Sequence, residues 1–363
     1  MKRSFRKTAV MLTALLMSIS HMSLQIVAKE DTQAQGIEDE PQMTEALEEA
    51  ESEAITEETE IAEEPEITEE AAEADTAAPE TEAADQWLTV FSLDPDGNGT
   101  VRTDAVDFSS VADTENGVLS TGLYAVTASR TMKNRITVNG DVEIILCNGA
   151  ALTMEEGIHN GEGNALTIRA QSAGDAMGRR ICTADGDKAA IGGNEKENGG
   201  TLKIYGGDIT GAGDDCGAGI GGGTCDNGGN IEIHGGKIHA EGGHYWTCAG
   251  AGIGGGDSGK GGSITITGGS VYAVSPFIDG WFDDDQGAGI GAGNNADGGS
   301  ISILGGHTEA HGWEAFGKGN DGKDSGSLYL APSIYAESSG TIHPYEKRYE
   351  LARTHDMVLF AKD

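Results

Sequence analysis

The 363-residue chain carries 60 Asp and Glu against 23 Lys and Arg, for a net charge of −37, together with 57 glycines. A charge of that sign repels polyanions, so nucleic acid and anionic membrane surfaces are excluded as expected partners. Five cysteines are an odd number, so at least one thiol is expected to stay unpaired or to pair with another chain.

The first element is an export signal. Lys2, Arg3, Arg6 and Lys7 precede an apolar run over residues 8–19, and Ile26-Val27-Ala28 offers a cleavage site. This order predicts a signal peptide over residues 1–28 and a secreted or cell-surface protein. The run is shorter than the roughly 20 residues needed to span a bilayer, so the mature form is expected to have no membrane insertion. No Cys follows it and no wall-sorting motif closes the chain, so the mode of attachment is left open.

Residues 29–85 hold 23 acidic residues against one lysine and lack aromatic side chains. Such a segment buries too little surface to offset chain entropy and repels itself. It is expected to be a disordered acidic linker.

Residues 86–134 read as an N-terminal β cap with a hairpin. Strand-like WLTVFSL and TVRTDAV flank DPDGNG, in which Asp94, Asp96 and Asn98 match alternate ligand positions of a calcium loop. The twelfth position is Ala105, with Asp104 one residue early, and a plain turn is the favoured reading. No cofactor is expected, and calcium is the candidate metal.

Residues 135–330 contain a repeat. Ile191, Ile220, Ile253 and Ile290 are each followed eight residues later by a Gly-Gly pair (first members Gly199, Gly228, Gly261, Gly298), and seven later by another (Gly206, Gly235, Gly268, Gly305). TLKIY, NIEIH, SITIT and SISIL alternate apolar and polar residues between the pairs, the period of a strand with one buried face. Identical coils stacked at about 4.8 Å would place inward Ile on inward Ile. The expected fold is all-β, a single-stranded right-handed parallel β-helix, or β-solenoid, following the linker. A glycine-rich disordered tract is disfavoured by the fixed spacing, and a tandem calcium-binding nonapeptide repeat is absent. AFGKG followed by GSLYLAPSIYAES looks like a degenerate last coil, with residues 331–363 as the C-terminal cap.

The order from ITVNGDVEIILCNGAALTMEEGIHNGEGNALTIRAQS through AAIGG to AGIGGG with GGxIxIxGGxIxA units resembles β-solenoid modules of secreted or surface proteins of anaerobic Firmicutes. Such modules are described as carbohydrate-binding domain-containing or adhesin-like. The resemblance spans residues 106–330 and implies a single right-handed β-helix. It carries over no catalytic motif.

All length variation falls at one corner. From Gly206, Gly235, Gly268 and Gly305 to Ile220, Ile253, Ile290 and Phe316 the chain runs 14, 18, 22 and 11 residues. Repeat proteins place insertions on their binding face. The insertions carry Asp214-Asp215, then His244, Tyr245 and Trp246, then Phe277, Trp281, Phe282, Asp283 and Asp284, then His311 and Trp313. Aromatic faces beside Asp and His suit sugar rings, although the same side chains could instead cover the solenoid's flank. Neighbouring coils would also bring Cys216 near Cys248, close enough for a disulfide.

A non-catalytic binding protein for a glycan or a host surface protein is the favoured function. A polysaccharide-active hydrolase or lyase on the same scaffold and a purely structural spacer are the alternatives. Sparse Lys and Arg beside the loops weigh against a lyase of acidic polysaccharide. The sequence leaves the oligomeric state open.

Overall fold

The computed structural model describes residues 87–94, 97–112, 117–276, 285–338, 340–343 and 347–361. The expected signal peptide (1–28) and acidic linker (29–85) lie outside the described residues, as do Asp96 and residues 277–284.

Three parallel ladders run the length of the domain. The first is made of two-residue rungs: Ile158–His159, Ile191–Gly192, Ile220–Gly221, Ile253–Gly254, Ile290–Gly291 and Phe316–Gly317. The second stacks Ala165–Ala170, Thr201–Ile204, Asn230–Ile233, Ser263–Ile266, Ser300–Ile303 and Ser327–Leu330. The third stacks Arg130–Met132, Ala151–Met154, Arg179–Thr183, Asp208–Ala212, Lys237–Glu241, Ser270–Val274 and His307–His311. Each coil visits the three ladders in turn, which makes the domain a parallel β-helix.

Alternation within each rung decides what is inside. Leu202 pairs with Ile231, Ile264 and Ile301 in one row, and Ile204 with Ile233, Ile266 and Ile303 in the next. All are buried, while Lys203, Glu232, Thr265 and Ser302 alternate with them outward. Each buried Ile contributes about 1.5–3 kcal/mol, but only because the coils above and below cover it.

The corner between the first and second ladders is built in a way the glycine pattern does not announce. Lys196, Cys225, Ser258, Asn295 and Asp321 each sit five residues after the rung's first residue, and all have φ between 58° and 68°. Left-handed backbone costs a non-glycine residue on the order of 1 kcal/mol. Here it aims each N–H at the next coil: Lys196 donates to the Thr224 carbonyl, Cys225 to Asp257, Ser258 to Asn294 and Asn295 to Asn320. The stacked hydrogen bonds offset the strain.

The ladders begin before residue 135. Val118–Val126 pairs in parallel with Ile136–Leu146, and Arg130–Met132 opens the third ladder, so a coil forms within the region expected to be cap. Antiparallel Leu88–Leu93 and Gly99–Asp107, with the short helix Phe108–Ala112 and buried Phe108, close that end. At the other end Asp356–Ala361 runs antiparallel along His307–His311 and pairs on its far edge with Ile334–Ser338. Two guanidiniums satisfy carbonyls of the last rung. Arg348 donates to the Leu330, Ala331 and Ile334 carbonyls, and Arg353 to those of Phe316, Ser325 and Gly326.

Candidate functional site

The variable corner joins the third ladder to the first. In the coil ending at Ile253 it rises as a ribbon, with His244–Tyr245 antiparallel to Cys248–Ala249. Trp246 and Thr247 form a two-residue turn, in which Trp246 has φ 58°. A primed hairpin turn normally places glycine at such a position, so a bulky ring there stores about 1–3 kcal/mol of strain.

Strain is tolerated because the base is fixed on several sides. Cys216 of the coil below is disulfide-bonded to Cys248, with Cα atoms 5.4 Å apart. Asn294 of the coil above, fully buried, donates from its backbone N–H to the Ala249 carbonyl and from Nδ2 to the Thr247 carbonyl (2.8 and 3.1 Å). Gly243 donates to the Gly217 carbonyl, and the Ser275 hydroxyl to that of Gly250. The base is therefore rigid, and its aromatic tip projects.

Tyr245 is 52% and Trp246 67% exposed, their ring centroids 6.2 Å apart and tilted by 52°. His244 at the base is partly buried, which pushes its imidazole below the usual histidine range; the charge of nearby Asp285 opposes this. The ring is neutral at neutral pH. Asp285 also lies 3.5 Å from Asn294 Nδ2, and the backbone of Asp214 and Asp215 lies directly against Gly243, just before the ribbon. The arrangement offers open aromatic faces at the tip with the Asp285 carboxylate near the His244 base, suited to the C–H face and hydroxyls of a sugar.

Trp87 and Tyr329 are also exposed (59% and 53%), but the outward rings of two ladders have their faces occupied. Tyr205 is held between the Arg169 guanidinium (4.2 Å) and the stacked His234 ring (4.6 Å). Tyr272 sits between His239 (4.9 Å) and His311 (5.3 Å). These ladders follow from in-register stacking, and sequence reasoning missed them because the partners lie about 30 residues apart.

Two residues expected at the binding edge contact the C-terminal cap. His311 ends the strand His307–His311, where Nδ1 bonds Asp356 of the cap (2.7 Å) and Nε2 bonds Glu309 (2.9 Å). Trp313 meets the His355 ring edge-on at 5.5 Å and helps seat the cap. Phe277, Trp281, Phe282, Asp283 and Asp284 lie outside the described residues. The structure thus joins His244, Tyr245 and Trp246 in one ribbon, and ties His311 and Trp313 to the C-terminal cap.

Of DPDGNG, Pro95 and Asp96 lie outside the described residues; Asp94, Gly97 and Asn98 sit between the antiparallel strands Leu88–Leu93 and Gly99–Asp107. Asp94 N–H donates to the Asn98 carbonyl and Gly97 N–H to the Asp94 carbonyl. The Asp94 carboxylate accepts from Thr100 (2.6 Å) and lies 3.6 Å from Arg169. Among the described residues no group of three or more His, Cys, Asp or Glu side chains converges to hold a metal ion.

A shallow groove of about 350 Å³ crosses the opposite corner, walled by Glu162, Asn198, Asn227 and Lys260. Its polar groups bond one another: Asn198 donates to Glu162 and accepts twice from Asn227, which accepts from the Lys260 N–H.

The beta helix repeat family profile matches residues 231–257 and 264–294. No curated protein and no solved structure matches the chain. Each matched span runs from a second-ladder strand, through the third ladder and the variable corner, to the rung after it. The coil that carries the ribbon and the coil after it thus match the beta helix repeat profile, in a chain whose fold is a parallel β-helix.

Proposed function

We propose that the chain is a secreted or surface-associated, non-catalytic binding protein whose ribbon tip, Tyr245 and Trp246, holds a glycan or a glycan-bearing host surface protein. The observation that carries this reading is an exposed pair of aromatic rings in strained backbone, fixed by a disulfide and by both neighbouring coils. Trp313, by contrast, is only partly exposed and packs edge-on against His355 of the cap. Asp285 near the ribbon base and the overall negative charge favour neutral or amino-substituted sugars over sulfated or uronic-acid polymers. The export-signal pattern and the linker fit a module displayed away from the cell.

The test is a glycan and host-protein array probed with the purified chain and with a Tyr245→Ala, Trp246→Ala double variant. Retention on a neutral or amino-sugar glycan, lost in the variant with its far-ultraviolet spectrum unchanged, is the expected result. Equal retention by both would refute the ribbon as the site. Release of reducing ends or unsaturated products from a polysaccharide panel would favour the enzyme alternative.

A further inference from the structure

Along one inward row of the third ladder run Arg130, Leu152, Arg180, Ile209, Ile238 and Val271. Arg130, in the end coil, is only partly buried and donates to the Ser109 carbonyl, so Arg180 is the row's fully buried charge. Arg180 is 0% exposed. Its Nη2 meets the Met154 thioether at 3.5 Å, and among the described residues neither Nε nor Nη1 has a hydrogen-bond acceptor. Arginine does not lose its proton in a protein, so this is a full positive charge inside an apolar core.

A second guanidinium adds to the field. Arg135 enters the same coils, donating from its Nη atoms to the carbonyls of Glu156, Ala189, Gly192 and Gly193. Its Nε has no partner among the described residues. Carbonyl dipoles solvate this cation without neutralising it, and burial pushes its pKa down to about 10 despite partial offsets from Cys182, Glu156 and Glu197. Cys182 is itself buried and lies 3.8 Å from the Met154 sulfur that Arg180 touches. Arg180, Met154 and Cys182 thus form one internal contact cluster, and Arg135 lies within electrostatic reach of Cys182.

An unpaired buried charge costs far more than a repeat row gains from one arginine, so the charge requires a counter-ion. We infer that Arg180 binds a small monovalent inorganic anion of the halide class inside the coil. Size and charge select the class: the surroundings are apolar side chains and polarisable sulfur, which would not stabilise a strongly hydrated divalent ion. The bound ion would tie the rung Ala151–Met154 to Arg179–Thr183 and make the stability of this half of the helix depend on halide.

The row also supplies the control, since Leu at the equivalent position 152 shows what a neutral coil carries there. Wild type and Arg180→Leu would be melted in sodium chloride and in sodium gluconate, whose anion is too large to enter, at one ionic strength. The expected result is a melting temperature roughly 3–5 °C higher in chloride for wild type, with no difference for Arg180→Leu. Crystals grown in sodium bromide should show an anomalous peak within contact of Arg180 Nε or Nη1. This arm needs only the wild-type chain and decides the matter if the variant fails to fold. Equal melting in both salts, or an ordered Arg180 without a bromide peak, would overturn the inference.

Discussion

At the residue scale the glycines of GAGIGGG differ from those of open turns. Gly221 has φ 138°, and a β-carbon there would collide with the Gly254 carbonyl oxygen of the next coil. Gly163 has φ 85°, and a β-carbon would meet nothing within 4 Å. Gly221→Ala should therefore cost about 3 kcal/mol or more, since it combines backbone strain with a stacking clash. Gly163→Ala should cost about 1 kcal/mol, the left-handed strain alone. Urea unfolding of the two variants checks this, and equal losses would contradict stacking as the reason for the motif. The alternation of Ile231 and Ile233 was legible in the sequence because inward rows need the same side chain in every coil. Arg180 was not, because no pattern rule places a guanidinium on an inward row.

At the element scale the ribbon and the C-terminal cap make separate predictions. The Cys216–Cys248 bond closes a loop across a sequence separation of 32 residues. Its loss in Cys248→Ser should lower stability by about 2–4 kcal/mol and weaken binding at the tip, read by thermal melting and array retention together. Cysteine spacing made this pair legible. The contacts of His311 and Trp313 with the cap were not, because their partners Asp356 and His355 lie more than 40 residues further on.

His311 is held above the usual histidine range, first by its bond to Glu309 and then by Asp356. Glu309 is held below the usual carboxylate range, chiefly by the same bond. The histidine's contribution is complete below about pH 6.5 and is lost as pH rises through the raised value. Glu309's contribution is complete above about pH 4.3 and is lost as pH falls through the lowered value. The cap strand Asp356–Ala361 should therefore be held most tightly between these limits. Because the partners are partly exposed, the effect should be about 1 kcal/mol or less. Amide exchange of Met357 and Leu359 should be faster at pH 9 than at pH 6 after correction for intrinsic rates, and His311→Gln should flatten the difference. An unchanged profile in the variant would rule out the histidine.

At the scale of the whole molecule, repetition explains both what could be read and what could not. Fixed eight- and seven-residue spacings specify coils, and coils specify ladders, so the β-helix followed from the positions of Ile and Gly. The coil containing Val118–Val126 was hidden because its long strand lacks paired glycines. Function was less legible, because a stacked scaffold turns most outward rings on one another. Tyr205 and Tyr272 are enclosed along their ladders, whereas the Tyr245–Trp246 tip sets two exposed rings side by side in one turn. A parallel comparison of Trp246→Ala and Trp313→Ala on one glycan and host-protein array, each with its thermal melt, tests this division most directly. The account predicts that Trp246→Ala loses retention with its melt unchanged, while Trp313→Ala keeps retention and melts earlier. Retention that survives Trp246→Ala and fails in Trp313→Ala would contradict it.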